Sequence, residues 1–221
     1  MKKTLILFSA LLMLFTVVLF NGCGKDNGTN SEYPDVTADS YTITDTLKYK
    51  QTDASGINIV DWPYGAATLN AIISDSIVIA SAAINADGSF VLVLPASVPG
   101  KYLSSLTAEA IWEGGSVVAD PETVRYMDSI RYVVDLVING LPYKMVVGLC
   151  LLKSDLTVEE AYSFNFYDLP GTFIGIGSSG THYAWSFTKG WSIIGVGTIF
   201  NTSVYSSSWD KALPAEAIWV N

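Results

Sequence analysis

Histidine occurs once in the 221 residues, at His182, and cysteine only twice, at Cys23 and Cys150. Serine–histidine triads and the usual zinc sites need imidazole beside other specific groups, so one histidine with no anchoring motif supports neither chemistry. Cations are also scarce: 12 Lys and Arg stand against 21 Asp and Glu, a formal charge of −9. Binding to nucleic acid needs clustered Lys and Arg to displace counterions, and here they are few and scattered, which argues against nucleic acid and makes anionic lipid a poor electrostatic partner. The chain also has no Gly-x-Ser-x-Gly elbow, and Gly175-Ile176-Gly177-Ser178-Ser179-Gly180 lacks the lysine and following helix that would cradle phosphate. Asn85-Ala86-Asp87-Gly88 echoes a calcium loop, but its first and twelfth ligand positions would be Ala83 and Leu94, so the bidentate carboxylate is missing. The expectation is no cofactor, no metal and no catalytic residue.

Both cysteines have settings that argue against a disulfide. Cys150 sits in the apolar run Met145–Leu152, where it reads as a small buried core residue with no nearby cation to activate it. Cys23 follows a positive pair, Lys2-Lys3, and an almost unbroken apolar stretch over residues 4–20. That stretch is about 17 residues long, short of the ~20 a spanning helix needs. Leu19-Phe20-Asn21-Gly22-Cys23 resembles a bacterial lipobox, departing from it at Phe20 and Asn21. The resemblance implies cleavage before Cys23, diacylglycerol on its thiol, and a protein held in the cell envelope, on the outer membrane, by lipid. Residues 23–40 then read as a flexible tether, since Gly24 to Glu32 is polar and aperiodic. Lys25-Asp26 is similar to the short charged export signals of Bacteroidota lipoproteins.

From residue 41 onward Val, Ile, Thr and aromatic residues dominate, without the 3.6-residue apolar period of an amphipathic helix. The reading is an all-β, antiparallel β-sandwich of two small units, residues 41–121 and 122–221, with one continuous sandwich as the competitor. Strands are expected at Tyr41–Thr44, Ile57–Val60, Ala67–Ile73 and Ser76–Ala82. Another follows the Asp87-Gly88 turn and stops at Pro95. Asn139-Gly140 between two apolar runs predicts a hairpin with a type I′ turn, because both residues accept positive φ. A second hairpin is expected where Thr181–Phe187 meets Trp191–Phe200, a short helical turn at Thr157–Glu160, and a strand at Ala215–Val220.

Asp87-Gly88-Ser89-Phe90 closes a stretch, residues 56–95, that resembles transthyretin-like or carboxypeptidase-regulatory-like β-sandwich modules. Lys189–Ile194 and Trp219 resemble the ending of uncharacterised two-part bacterial lipoproteins. Neither resemblance implies an activity.

The remaining candidates are aromatic or acidic. Tyr162, Phe164 and Phe166 alternate along one stretch, and Tyr183, Trp185 and Phe187 along another, with Trp191, Trp209 and Trp219 nearby. Period-two aromatics are first of all core, and an exposed row would offer platforms for sugar rings or a partner protein, with Trp185, Trp191 and Trp209 as the candidates. Asp45-Thr46-Leu47, Asp75-Ser76-Ile77 and Asp128-Ser129-Ile130 resemble the bacterial O-glycosylation motif. The function expected is a membrane-anchored, non-enzymatic binding or interaction module for a glycan or an envelope protein. The alternatives are a glycoside hydrolase using Asp168 with Glu159 or Glu160, and a purely structural envelope protein.

If lipid on Cys23 is the anchor, Cys23→Ser should abolish labelling by a fatty-acid analogue and move the protein from the membrane to the soluble fraction. Unchanged membrane association of that variant would refute the anchor.

Overall fold

Alternation builds most of the elements: in Ser89–Leu94, Phe90, Leu92 and Leu94 are buried while Val91 and Val93 face solvent, the two-residue period of a half-buried strand. The computed structural model describes residues 34–54, 56–73, 77–106, 116–127, 130–176, 182–199, 202–206 and 215–221. The strands before residue 106 are β1 (Val36–Thr37), β2 (Tyr41–Thr46), β3 (Lys48–Asp53), β4 (Gly56–Asp61), β5 (Ala67–Ile73), β6 (Ile77–Ile84), β7 (Ser89–Leu94), β8 (Ser97–Val98) and β9 (Ser104–Ser105). Next come β10 (Ser116–Asp120), β11 (Arg125–Met127), β12 (Arg131–Ile138), β13 (Leu141–Leu152) and β14 (Val158–Tyr167). The series ends with β15 (Gly171–Ile176), β16 (His182–Phe187), β17 (Gly190–Ile199), β18 (Thr202–Ser206) and β19 (Ile218–Val220).

These strands form an all-β sandwich of packed, mainly antiparallel sheets. One sheet runs β2-β7-β6-β5-β12-β13, and the hydrogen bonding continues from β13 through β14-β17-β18-β16-β15-β10. The turn from one to the other is made by β13. Its residues Leu141–Val147 pair with β12, whereas Leu149–Leu152 pair with β14 and Gly148–Cys150 with β19. The stretches before and after residue 121 therefore share both a sheet, through the β5–β12 ladder, and a core. In that core Ile43, Leu69, Phe90 and Leu92 meet Tyr132, Phe164, Phe166 and Trp219. A second, smaller core gathers Leu106, Ala119, Val124, Tyr126, Tyr167, Phe173, Phe187 and Ile194.

Asn139 and Gly140 take φ of 53° and 79°, and Ile138 pairs with Leu141 across them, as the type I′ expectation requires. Several expectations are corrected. The tether expected over residues 23–40 ends before Val36, because β1 pairs antiparallel with β8, Val36 is buried in the main core and the Ala38 N–H donates to the Ala96 carbonyl at 2.8 Å. The proposed hairpin between residues 181–187 and 191–200 does not form: β18 lies between β16 and β17, parallel to the first and antiparallel to the second. The helical turn at Thr157–Glu160 is also replaced by strand. Thr157 donates through its backbone N–H and its hydroxyl to Asp155 Oδ1, at 3.0 and 2.6 Å, closing a tight turn, and from Val158 the chain runs as β14, exposed at its start and buried from Phe164 to Tyr167. The strand expected at Ala215–Val220 is shorter, β19 alone, with a turn at Ala215-Glu216.

Gly88 is needed for two reasons. Its φ is +87°, and a Cβ there would come within 2.6 Å of the Leu47 carbonyl oxygen and 2.7 Å of the Trp62 Cβ. Among the described residues no helix is long and apolar enough to cross a membrane.

Trp219 is fully buried, edge-on to Tyr132 at 4.7 Å and to Phe90 at 5.5 Å. Trp219→Ala should lower unfolding free energy by about 3–5 kcal/mol in a urea titration. Trp185→Ala, at a half-buried position, should cost clearly less; equal losses would contradict this core assignment.

Candidate functional site

The acidic candidates are held apart. Asp168 is buried and clamps Arg125: its Oδ2 accepts from Arg125 Nε at 2.7 Å, its Oδ1 from the Arg125 backbone N–H at 2.7 Å, and its own N–H donates to the Arg125 carbonyl at 3.0 Å. Glu160 lies near the other end of β14, where Tyr162 Oη donates to its Oε2 at 2.9 Å. At ~3.3 Å of rise per residue the Asp168 and Glu160 backbones are separated by about 25 Å, far beyond the ~5–10 Å of a glycosidase pair. Glu159 is the extra residue of a β-bulge, lying between Val158, which pairs with Leu152, and Glu160, which pairs with Leu151. Gly195, opposite Tyr162 on β17, leaves room for the Glu160 carboxylate, with which a Cβ would collide.

The aromatic candidates separate by burial. Trp191 is 7% exposed, sits edge-on to Phe166 at 5.2 Å, and donates Nε1–H to the Pro95 carbonyl at 2.8 Å. With its faces covered by protein, it is a core residue. Phe164 and Phe166 are fully buried, and Tyr162 is half-buried at the margin of the main core. Trp185 is half-buried against the second core, with its ring 4.5 Å from Phe173 and 5.7 Å from Tyr183. Phe187 is stacked on Tyr167 at 4.0 Å. His182 stands on β16 opposite Ile176 and Val204.

Cys150 is buried, and burial raises its thiol pKa, partly offset by Lys50, so it stays protonated. Asp45 and Thr46 lie on β2, where the Thr46 N–H donates to Asp45 Oδ1 at 2.7 Å. Cys23, Trp209, Asp75-Ser76 and Asp128-Ser129 lie outside the described residues.

The structure brings together an aromatic group that no sequence motif announced. Pro and Gly punctuate the β4–β5 loop, Trp62-Pro63-Tyr64-Gly65, and the loop is closed by the buried Trp62 donating Nε1–H to the Gly65 carbonyl at 2.7 Å. Tyr64 packs edge-on to Trp62 at 5.1 Å and to Tyr49 of β3 at 5.2 Å. Tyr143 lies beyond the Asn139-Gly140 turn, opposite Leu136, and is 52% exposed. Around it Val137 and Leu141 are exposed as well. An open depression of about 510 Å³ is lined by Asp135, Leu136, Val137, Pro142, Tyr143 and Lys144. At its margin a polar chain crosses four strands: Lys144 Nζ donates to Asp135 Oδ1 at 2.6 Å, Asn70 Nδ2 to Asp135 Oδ2 at 2.9 Å, and Ser81 Oγ to Asn70 Oδ1 at 2.7 Å.

The hydrogen bond to Tyr49, together with burial and the neighbouring phenols Tyr49 and Tyr143, pushes the Tyr64 pKa up to about 12. The hints available in sequence were an aromatic pair in a Pro/Gly loop and a tyrosine just past a tight turn.

No family model, curated protein or solved structure matches the chain.

The raised Tyr64 value fixes a pH dependence. Its stabilisation is fully present below the ordinary tyrosine value near 10, where both folded and unfolded phenols are protonated, and is lost as pH rises through about 12 because the unfolded phenol ionises first. Urea midpoints measured from pH 9 to 12 should therefore fall more steeply for the native chain than for Tyr64→Phe. Parallel curves would show that the Tyr49–Tyr64 contact contributes nothing.

Proposed function

We propose that the protein is a lipid-anchored, non-enzymatic envelope module that binds a glycan or a partner protein through aromatic side chains exposed at one end of its sandwich. Lipid on Cys23 holds it at the outer membrane, and the segment between Cys23 and β1 (Val36–Thr37) tethers the β body to that lipid. The observation that carries the reading is the tip of the β12–β13 hairpin, where Tyr143, Leu141 and Val137 stand exposed around a tight turn. Apolar and aromatic side chains grouped at a tight turn, where no packing requires them, mark a surface used for contact. Other tryptophans and phenylalanines, Trp191, Trp219, Phe164 and Phe166 among them, are spent on the core.

The hydrolase reading draws less support, because Asp168 is committed to Arg125 and stands far along β14 from Glu160. A purely structural role would make substitutions at the hairpin tip silent.

The test compares two full-length variants. Trp191→Ala should cost about 3–5 kcal/mol of stability, as a core truncation does. Tyr143→Ala should leave the unfolding midpoint unchanged and abolish retention of the protein on immobilised envelope glycans or its cross-linking to an envelope protein. If Tyr143→Ala binds as the native chain does in both formats, the module does not work through this surface.

A further inference from the structure

Where a sheet ends, its last strand leaves one row of backbone N–H and C=O groups without a ladder, and that row is a template for another strand. β10 is such a strand: it pairs with β15 along all five of its residues, and among the described residues no strand pairs along its other side. Its sequence, Ser116-Val117-Val118-Ala119-Asp120, carries a single charge, at the end where Pro121 follows. The register runs on across the sheet, with Val118 beside Ile174 and Ile174 beside Ala184. Val118 and Ile174 are 58% and 59% exposed, and Ile176 is exposed on the same face, so an apolar outer surface reaches the open edge. The other face is already used, because Ala119 and Phe173 are buried in the second core.

The free edge of β13 is built differently. Over Leu141–Val147 it pairs with β12 alone among the described residues, and it carries Pro142, which has no N–H to give, and Lys144, two devices that discourage a further strand. β10 has neither proline nor lysine. What it takes up is set by its own residues. Laid antiparallel against itself about Val118, the strand is self-complementary: Val118 meets Val118, Val117 meets Ala119, and Ser116 meets Asp120. Every residue pairs, and no like charges face each other. A slip of one residue sets inward positions against outward ones, and a slip of two shortens the overlap.

We propose that two copies of the chain pair edge to edge through β10, antiparallel about a two-fold axis at Val118, so that the β10-β15-β16 layers of both continue as one sheet. The Ile174–Val118 rows of the two copies then meet and form one apolar stripe across the joint. The pairing closes at two, because each chain brings one β10 edge and the contact is isologous. Five residues a side make a small contact, so the association is reversible rather than obligate. It is independent of the hairpin tip and of lipid on Cys23.

The experiment follows the full chain by sedimentation velocity at about 1 to 500 µM, the range in which a small interface associates, with detergent micelles in excess over protein. A reversible monomer–dimer equilibrium is expected. Val118→Lys, which brings two ammonium groups together at the axis, should weaken it by about tenfold or more with the unfolding midpoint unchanged. Single cysteines then read the register under mild oxidation, with the native chain as the blank. Val118→Cys should give a disulfide-linked dimer. Ser116→Cys alone should not, because its counterpart lies four residues, about 13 Å, further along the facing strand, beyond the ~7 Å a disulfide spans. A mixture of Ser116→Cys and Asp120→Cys chains should link. A chain monomeric over the whole range, a dimer indifferent to Val118→Lys, oligomers beyond the dimer, or Ser116→Cys linking as readily as Val118→Cys would each overturn the proposal.

Discussion

The architecture depends on the backbone of β13 being shared. An antiparallel strand satisfies its amide and carbonyl groups with a neighbour on each side, and β13 divides that demand along its length, giving its first half to β12 and its second to β14 and β19. The hydrogen-bond ladder therefore runs unbroken from one sheet into the next, and the side chains that alternate inward from both fill one main core. The arrangement also sets where the candidate site lies. β5 pairs with β12 only as far as Asp135, so Leu136–Tyr143 extends past its neighbour and carries Tyr143 out to solvent.

How much of this was legible depended on whether the information was local. Asn139-Gly140 specifies a positive-φ pair without help from distant residues, so the β12–β13 hairpin could be read directly. The Tyr162-Phe164-Phe166 period likewise announced a strand, whereas the capping pattern at Thr157 misled, because Thr157 bonds back to Asp155 and β14 pairs with β13 and β17. The β16–β17 pairing failed for the opposite reason. Lys189-Gly190 looks like a hairpin turn, and nothing near it reveals that β18, later in the chain, pairs between the two strands.

The tryptophans show the same limit at the level of the site. Composition marks Trp185, Trp191 and Trp209 as large aromatic surfaces, but exposure is a tertiary property. Trp191 finds a carbonyl for its indole N–H inside the core, and Trp185 is half-buried against the second core. Tyr49 and Tyr64 come from a strand and a loop and are brought together only by the fold, with their rings 5.2 Å apart.

Gly88 ties that pair to a turn between β6 and β7. The turn backbone approaches so closely that the Leu47 carbonyl and the Trp62 Cβ occupy the space a side chain would need, and Trp62 in turn supports the ring of Tyr64. Position 88 is thus mechanically continuous with the aromatic surface although it contributes no atom to it. Sequence drift in that turn is restrained by packing against Trp62 as well as by backbone conformation, and a change that shifted Tyr64 would have to move Trp62 and the β6–β7 turn together.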